Sequence, residues 1–111
     1  MRKQCRHCPW RVDVDPHEIP DGYCEIKHAA LSSTIAAPGA INLDAPLRMM
    51  ACHESKPRRE LPCVGWLANQ IGPGNNIGLR LAAIRDRSLT NFKLVGEQHA
   101  TFADTLPKRA P

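Results

Sequence analysis

Cys5-Arg6-His7-Cys8-Pro9-Trp10, near the start of the chain, and Pro62-Cys63-Val64-Gly65-Trp66-Leu67, past its midpoint, are the two stretches from which an architecture can be built. Two residues between Cys5 and Cys8 let both thiolates reach one ion without straining the backbone. Pro9 cannot donate a backbone hydrogen bond, so the pair sits in a turn. Pro62 suits the first turn of a helix. Cys63 then falls where unpaired amides and the helix dipole favour a thiolate. Between the two stretches lies Cys52-His53, which supplies a further donor. A knuckle joined to a ligand at a helix N-terminus is the logic of a treble-clef-like zinc site, tying the N-terminal turn to the central helix.

The third ligand stays open on spacing. Cys52 and His53 are neighbours, and consecutive side chains of an extended segment point opposite ways, so one ion takes one of them. Cys52 is favoured as the softer donor, with His53 the alternative. The plain alternative to a metal is a set of buried thiols, since cysteine packs as a small hydrophobe. That suits Cys24, on an apolar helical face. It suits Cys5, Cys8, Cys52 and Cys63 poorly, because their flanks are polar (Arg6, His7, Glu54). Zinc is the default ion, and an iron–sulfur cluster in a redox protein is the alternative.

Composition bounds the rest. The 111 residues allow one domain with a modest core. Hydrophobic residues at 42% and charged residues at 23% argue against wholesale disorder. Aromatics at 5% and ten prolines demand an aliphatic, often interrupted core. No apolar run approaches the ~20 residues of a membrane span. Met1-Arg2-Lys3-Gln4 lacks a signal-peptide stretch, so the expectation is a cytoplasmic protein, where clustered thiols bind metal more readily than they form disulfides.

Periodicity predicts a helix from about Gly22 to Ala36, with Cys24, His28, Leu31 and Ile35 on one face, ended by Pro38-Gly39. Leu47 to Cys52 reads as a short strand. The helix after Pro62 carries the stripe Val64, Leu67, Ala68 and Ile71 and stops at Gly72-Pro73-Gly74. Asn75 or Asn76 caps another whose apolar face is Ile77, Leu81 and Ile84. Leu89 to Val95 reads as a strand, and Phe102 with Leu106 as one last turn. The expected fold is a small α+β domain, mostly helical and metal-stapled, over 1–106, with a flexible tail at 107–111. Its core is Leu31, Ile35, Val64, Leu67, Ile71, Leu81 and Ile84, with Trp10 and Trp66 shielding the metal from water.

The charge is +4, which permits an acidic partner. A metal joining residues 5–8 to 52–63 would gather Arg6, Arg11, Lys56, Arg58 and Arg59 into a patch for nucleic acid or an acidic protein surface. Against a duplex, affinity would fall steeply with salt and with loss of Arg58 and Arg59. The alternative is a solvated face compensated by Asp13, Asp15, Glu54 and Glu60. Two enzymatic patterns fail on inspection. Cys52-His53-Glu54 with Pro62-Cys63 imitates the zinc deaminases, but Gly65-Trp66 stands where their second cysteine belongs. Gly72 to Gly78 could cradle a phosphate but lacks the Lys-Ser/Thr ending of a P-loop, and reads as a helix–helix turn.

Cys5-x2-Cys8-Pro9-x-Arg11, Cys52-His53, Cys63-x-Gly65-Trp66 and Leu79-Arg80-Leu81 together resemble a family of small uncharacterised bacterial and phage proteins. The resemblance spans most of residues 5–85. It implies a metal site at Cys5, Cys8, Cys52 or His53, and Cys63, and no assigned activity. Cys24 falls outside its pattern. The expected function is a non-enzymatic zinc-binding module with a regulatory or accessory role, with a phage-encoded inhibitor of a host machine as a further alternative.

Overall fold

A computed structural model describes residues 2–19, 24–37, 39, 47–52 and 61–107. Arg2–Lys3 (β1) pairs in parallel with Phe92–Lys93 (β2), Arg2 facing Phe92 and Lys3 facing Lys93. The pairing continues past the strands. Gln4 N–H donates to Lys93 O at 2.8 Å, Val12 N–H to Glu97 O at 2.9 Å, and His99 N–H to Trp10 O at 2.8 Å. The side-chain amides of Gln4 and Gln98 donate to each other at 2.7 and 2.8 Å. The N-terminal turn is thus laced to residues 91–99 by long-range bonds. The strand expected over Leu89–Val95 shrinks to two residues. Asp86 draws the chain into a 3₁₀ turn, Arg87–Thr90, by accepting from the Ser88 amide at 3.1 Å, and Gly96 turns it away again at φ 74°.

The helix expected from Gly22 to Ala36 starts later, as α1 (Glu25–Ala30) with Cys24 at its N-cap, and tightens into a 3₁₀ segment, Leu31–Thr34. Residues 20–23 lie outside the described residues. Leu47 to Cys52 is not a strand but makes half of one rung: Ala51 bridges Pro62, Cys52 N–H donates to Leu61 O, and Cys63 N–H donates to Met50 O, both at 2.7 Å. Then come α2 (Val64–Ile71) and α3 (Ile77–Arg85). The loop between them is a helix–helix turn. Asn75 adopts φ 43°, a left-handed conformation asparagine tolerates, and the Asn76 side chain caps α3 by accepting from Leu79 N–H at 3.1 Å. A short α4 (Phe102–Thr105) is capped by Thr101. Four helices and a two-stranded sheet make the described part a small α+β fold. Among the described residues no helix is long and apolar enough to cross a membrane.

The core departs from the expected aliphatic set. Its centre is Trp10 and Trp66, both fully buried, with Cys8, Met50, Cys63, Leu67, Leu79 and Leu89. Leu31, Ile35 and Ile71 pack on its edge. Leu81 and Ile84 do not belong to it: they are 49% and 75% exposed. The face of α3 turned inward is instead Leu79 with Ala82 and Ala83. Gln70, also fully buried, is satisfied by accepting from Ala36 N–H at 3.0 Å and Asn76 Nδ2 at 3.1 Å, which binds the end of the first helical segment to the α2–α3 turn.

His28 is buried in α1 against the edge of Phe102, ring centroids 5.7 Å apart. The Thr105 hydroxyl donates to Phe102 O at 2.6 Å, so its oxygen is left to accept from His28 Nε2 at 3.2 Å. Burial disfavours the imidazolium and holds His28 below its ordinary value of 6.5. The unfolded chain therefore takes up the proton first. His28 contributes its full stability above 6.5 and loses it as pH falls through that value toward the folded pKa. Denaturant titrations stepped down from about pH 7.5 to 5.5 should show wild type losing stability, by at most about 1.4 kcal/mol per pH unit from this group, and His28→Gln losing measurably less. Equal losses would refute it.

Candidate metal centre

Four of the five cysteines come together, brought by three separate elements. Cys5 and Cys8 lie in the N-terminal turn, which closes on itself through Cys8 N–H to Cys5 O at 3.3 Å and Arg11 N–H to Cys8 O at 3.1 Å. Cys52 ends the segment that pairs with Leu61. Cys63 is the N-cap of α2, its backbone extended, and its sulfur sits over the first turn, where the Trp66 amide points at it. Pro62 stands outside the helix, bridging Ala51 between the flanking bonds from Cys52 N–H to Leu61 O and from Cys63 N–H to Met50 O.

The sulfurs of Cys8 and Cys63 are 3.5 Å apart. Cys5 hydrogen-bonds to Cys52 and to Cys8. The contacts therefore run Cys52–Cys5–Cys8–Cys63, and Cys63 also feels the charge of Cys52. Cys8 is the member whose pKa the cluster draws down. Hydrogen bonds from the thiols of Cys5 and Cys63 pull it down to about 3, against the cost of burial, with Gln4 and the Trp10 backbone amide adding to the effect. Cys5 is pushed up by its bonds to Cys52 and Cys8 and by burial. Cys63 is pushed up by Cys8 and by burial, offset in part by the Trp66 amide donating to its sulfur. Among the described residues no group of three or more Cys, His, Asp or Glu side chains is arranged to enclose an ion. The thiols form a hydrogen-bonded chain, and the metal staple expected from the spacing is not itself observed. Cys24 takes part in none of the thiol contacts seen among the described residues.

Gly65 makes the cluster compatible with α2. A Cβ there would lie 2.4 Å from Trp10 Cβ, 2.8 Å from Trp10 Cγ and 2.9 Å from Cys8 Sγ. The first turn of α2 thus rests directly on the side chains of Trp10 and Cys8, and only a hydrogen fits between them. Sequence reasoning quoted Gly65 within a motif without finding this role. The signal was there, since a helix-weakening glycine beside a proposed ligand and a tryptophan marks a close approach. Both tryptophans are fully buried beside the sulfurs, Trp66 donating its indole N–H to Thr34 O at 3.1 Å and Trp10 stacking obliquely on Phe102 at 6.2 Å.

The basic patch is only partly in view. Arg6 is exposed. Arg11 is engaged by a bidentate pair with Asp13 at 2.7 and 3.0 Å and lies within the field of Cys8 and Cys5. Arg2 donates to Pro62 O beside the cluster. Lys56, Arg58, Arg59 and the alternative ligand His53 lie outside the described residues.

Among the described residues, a two-stranded seam, four short helices and four cysteines in contact, three buried and Cys5 partly so, define a small cysteine-clustered α+β domain. The chain belongs to DUF6283, a family of unknown function whose model matches residues 1–106. No curated protein and no solved structure matches it.

Proposed function

We propose that Cys5, Cys8, Cys52 and Cys63 hold one structural zinc ion, and that the domain is a non-enzymatic binding module for an acidic partner. The observation that carries this is the convergence of four cysteines, as many as 58 positions apart, in one buried place with two backbone amides aimed at sulfur. Such donors suit thiolates sharing a cation, because amide N–H groups offset the excess negative charge. The donor set is soft, all sulfur and four in number, which suits zinc in a closed site. A closed site leaves no position for a substrate, hence the non-enzymatic reading. With Cys52 already bonded to Cys5, His53 is not needed as a donor. Arg6, exposed next to Cys5, puts positive charge beside the site, Arg11 being taken by Asp13.

Elemental analysis of protein purified without chelator tests it. One zinc per chain is expected, with loss on Cys5→Ser or Cys52→Ser and retention in Cys24→Ser. Metal-free protein with four thiols that react with a mild alkylating reagent only on unfolding would overturn the zinc. A brown protein would replace it with an iron–sulfur cluster.

A further inference from the structure

Helix α3 has apolar residues on two opposite sides and a partner on only one. Leu79, Ala82 and Ala83 turn toward the core. At 3.6 residues per turn, Ile77, Leu81 and Ile84 form a second stripe almost diametrically opposite. A helix apolar on both sides belongs between two layers, and among the described residues the second layer is missing. Leu81 is 49% exposed and Ile84 75%. Leu47, itself partly exposed, extends the surface at the helix's N-terminal end, its Cδ1 lying 3.6 Å from where a Cβ on Gly78 would stand.

We propose that this stripe docks an acidic amphipathic segment, helical when bound, of a partner protein. The charge pattern selects the occupant. Arg80 and Arg85 border the stripe on its two flanks, both exposed, and α3 carries no acidic residue. Neither arginine has an ion-pair partner among the described residues. Arg80 is also held in place, its Nε donating to Ile71 O at 2.9 Å. A second copy of this chain would bring arginine against arginine along the same stripe, which costs free energy at an interface. A nucleic-acid backbone would use the arginines and leave the isoleucines and leucine unpaired with anything apolar. A helix with leucines on one face and glutamates along its borders satisfies both features. This deepens the reading of the domain as a binding module by naming a surface and a partner class, and it does not depend on the metal.

The test uses the full chain and a fluorescein-labelled synthetic peptide with leucines at i, i+3, i+4 and i+7 and glutamates elsewhere. A peptide of the same composition in scrambled order is the control. Fluorescence anisotropy should show saturable binding of the ordered peptide and at least tenfold weaker binding of the scrambled one. Leu81→Gln/Ile84→Gln should weaken binding at least tenfold with a fall in melting temperature of a few degrees at most, because both side chains are largely exposed and glutamine keeps helix propensity, and Arg85→Glu should weaken it severalfold. Zinc content measured on the same samples separates the two readings: wild type that holds zinc but does not bind the peptide sinks the docking proposal alone, and wild type that binds the peptide without zinc sinks the metal reading alone. Binding insensitive to the double substitution, equal binding of the two peptides, or none at millimolar concentration overturns it. So does a wild-type dimer by sedimentation that the double substitution dissolves, or capture by anionic vesicles in place of the peptide.

Discussion

Cys63→Ser should lower the melting temperature by roughly 10–20 °C, and Cys24→Ser by a few degrees at most, in parallel thermal scans of the two variants. Cys63 is fully enclosed, 3.5 Å from the Cys8 sulfur, at the N-cap of the helix that carries Trp66 and rests on Trp10. If zinc is bound, its site supplies about 10–16 kcal/mol of apparent binding energy in comparable peptides, much of it coupled to folding. Losing even about 3 kcal/mol shifts a domain of this size by the range given. Chelator added to wild type should reproduce the Cys63→Ser transition, and leave that variant unchanged. Cys24 stands at the N-cap of α1 with no capping bond to lose. Equal melting temperatures for the two serine variants would remove the cluster from the account of stability, with or without a metal.

Gly65→Ala should cost about 1–3 kcal/mol, an effect opposite in sign to the helix-propensity gain of roughly 0.5–1 kcal/mol that alanine brings at an open helical site. The difference lies in one contact. The added methyl would overlap Trp10 Cβ at 2.4 Å, and that atom is fixed to the Trp10 backbone, two residues beyond the Cys5–Cys8 turn. Relief requires α2 and the turn to part, which separates Cys63 from Cys8. The variant should therefore lose thermal stability and gain thiol reactivity together, read by melting and by alkylation rate. Gly96→Ala, where nothing lies within 4 Å of a built Cβ but φ is 74°, should cost only the backbone strain and leave thiol reactivity alone. A Gly65→Ala protein as stable as wild type would show that the packing of α2 on the turn is looser than described.

Sequence alone revealed α2 almost to the residue, because a proline and a cysteine mark its start and Gly72-Pro73-Gly74 its end. It also singled out the four cysteines that meet. It misjudged α3, for a physical reason. Ile77-Gly78-Leu79-Arg80-Leu81-Ala82-Ala83-Ile84 contains two helical stripes, and burial was assigned to the one with more apolar surface. The core took the smaller one. Ala82 and Ala83 let α3 approach closely, and Asn76, tied to the buried Gln70, fixes the rotation by capping Leu79 N–H. Trp10 was placed as a shield when it is the centre of the core. The polar residues around the knuckle obscured that, and only the long-range lacing of residues 4–12 to 91–99 puts the turn inside. The short parallel pairing was illegible too, since two-residue strands carry no periodicity.

That pairing bears on biosynthesis. Arg2 finds its neighbour at Phe92, and Gln4 its amide partner at Gln98. A nascent chain must hold its first turn in waiting until nearly ninety further residues have emerged from the ribosome. Closure is then among the last events, limited by the search between distant segments. During that interval Trp10 and the thiols beside it are open to solvent, and whatever protects them in the cell, whether an early-bound cation or a chaperone, acts before the final rungs form.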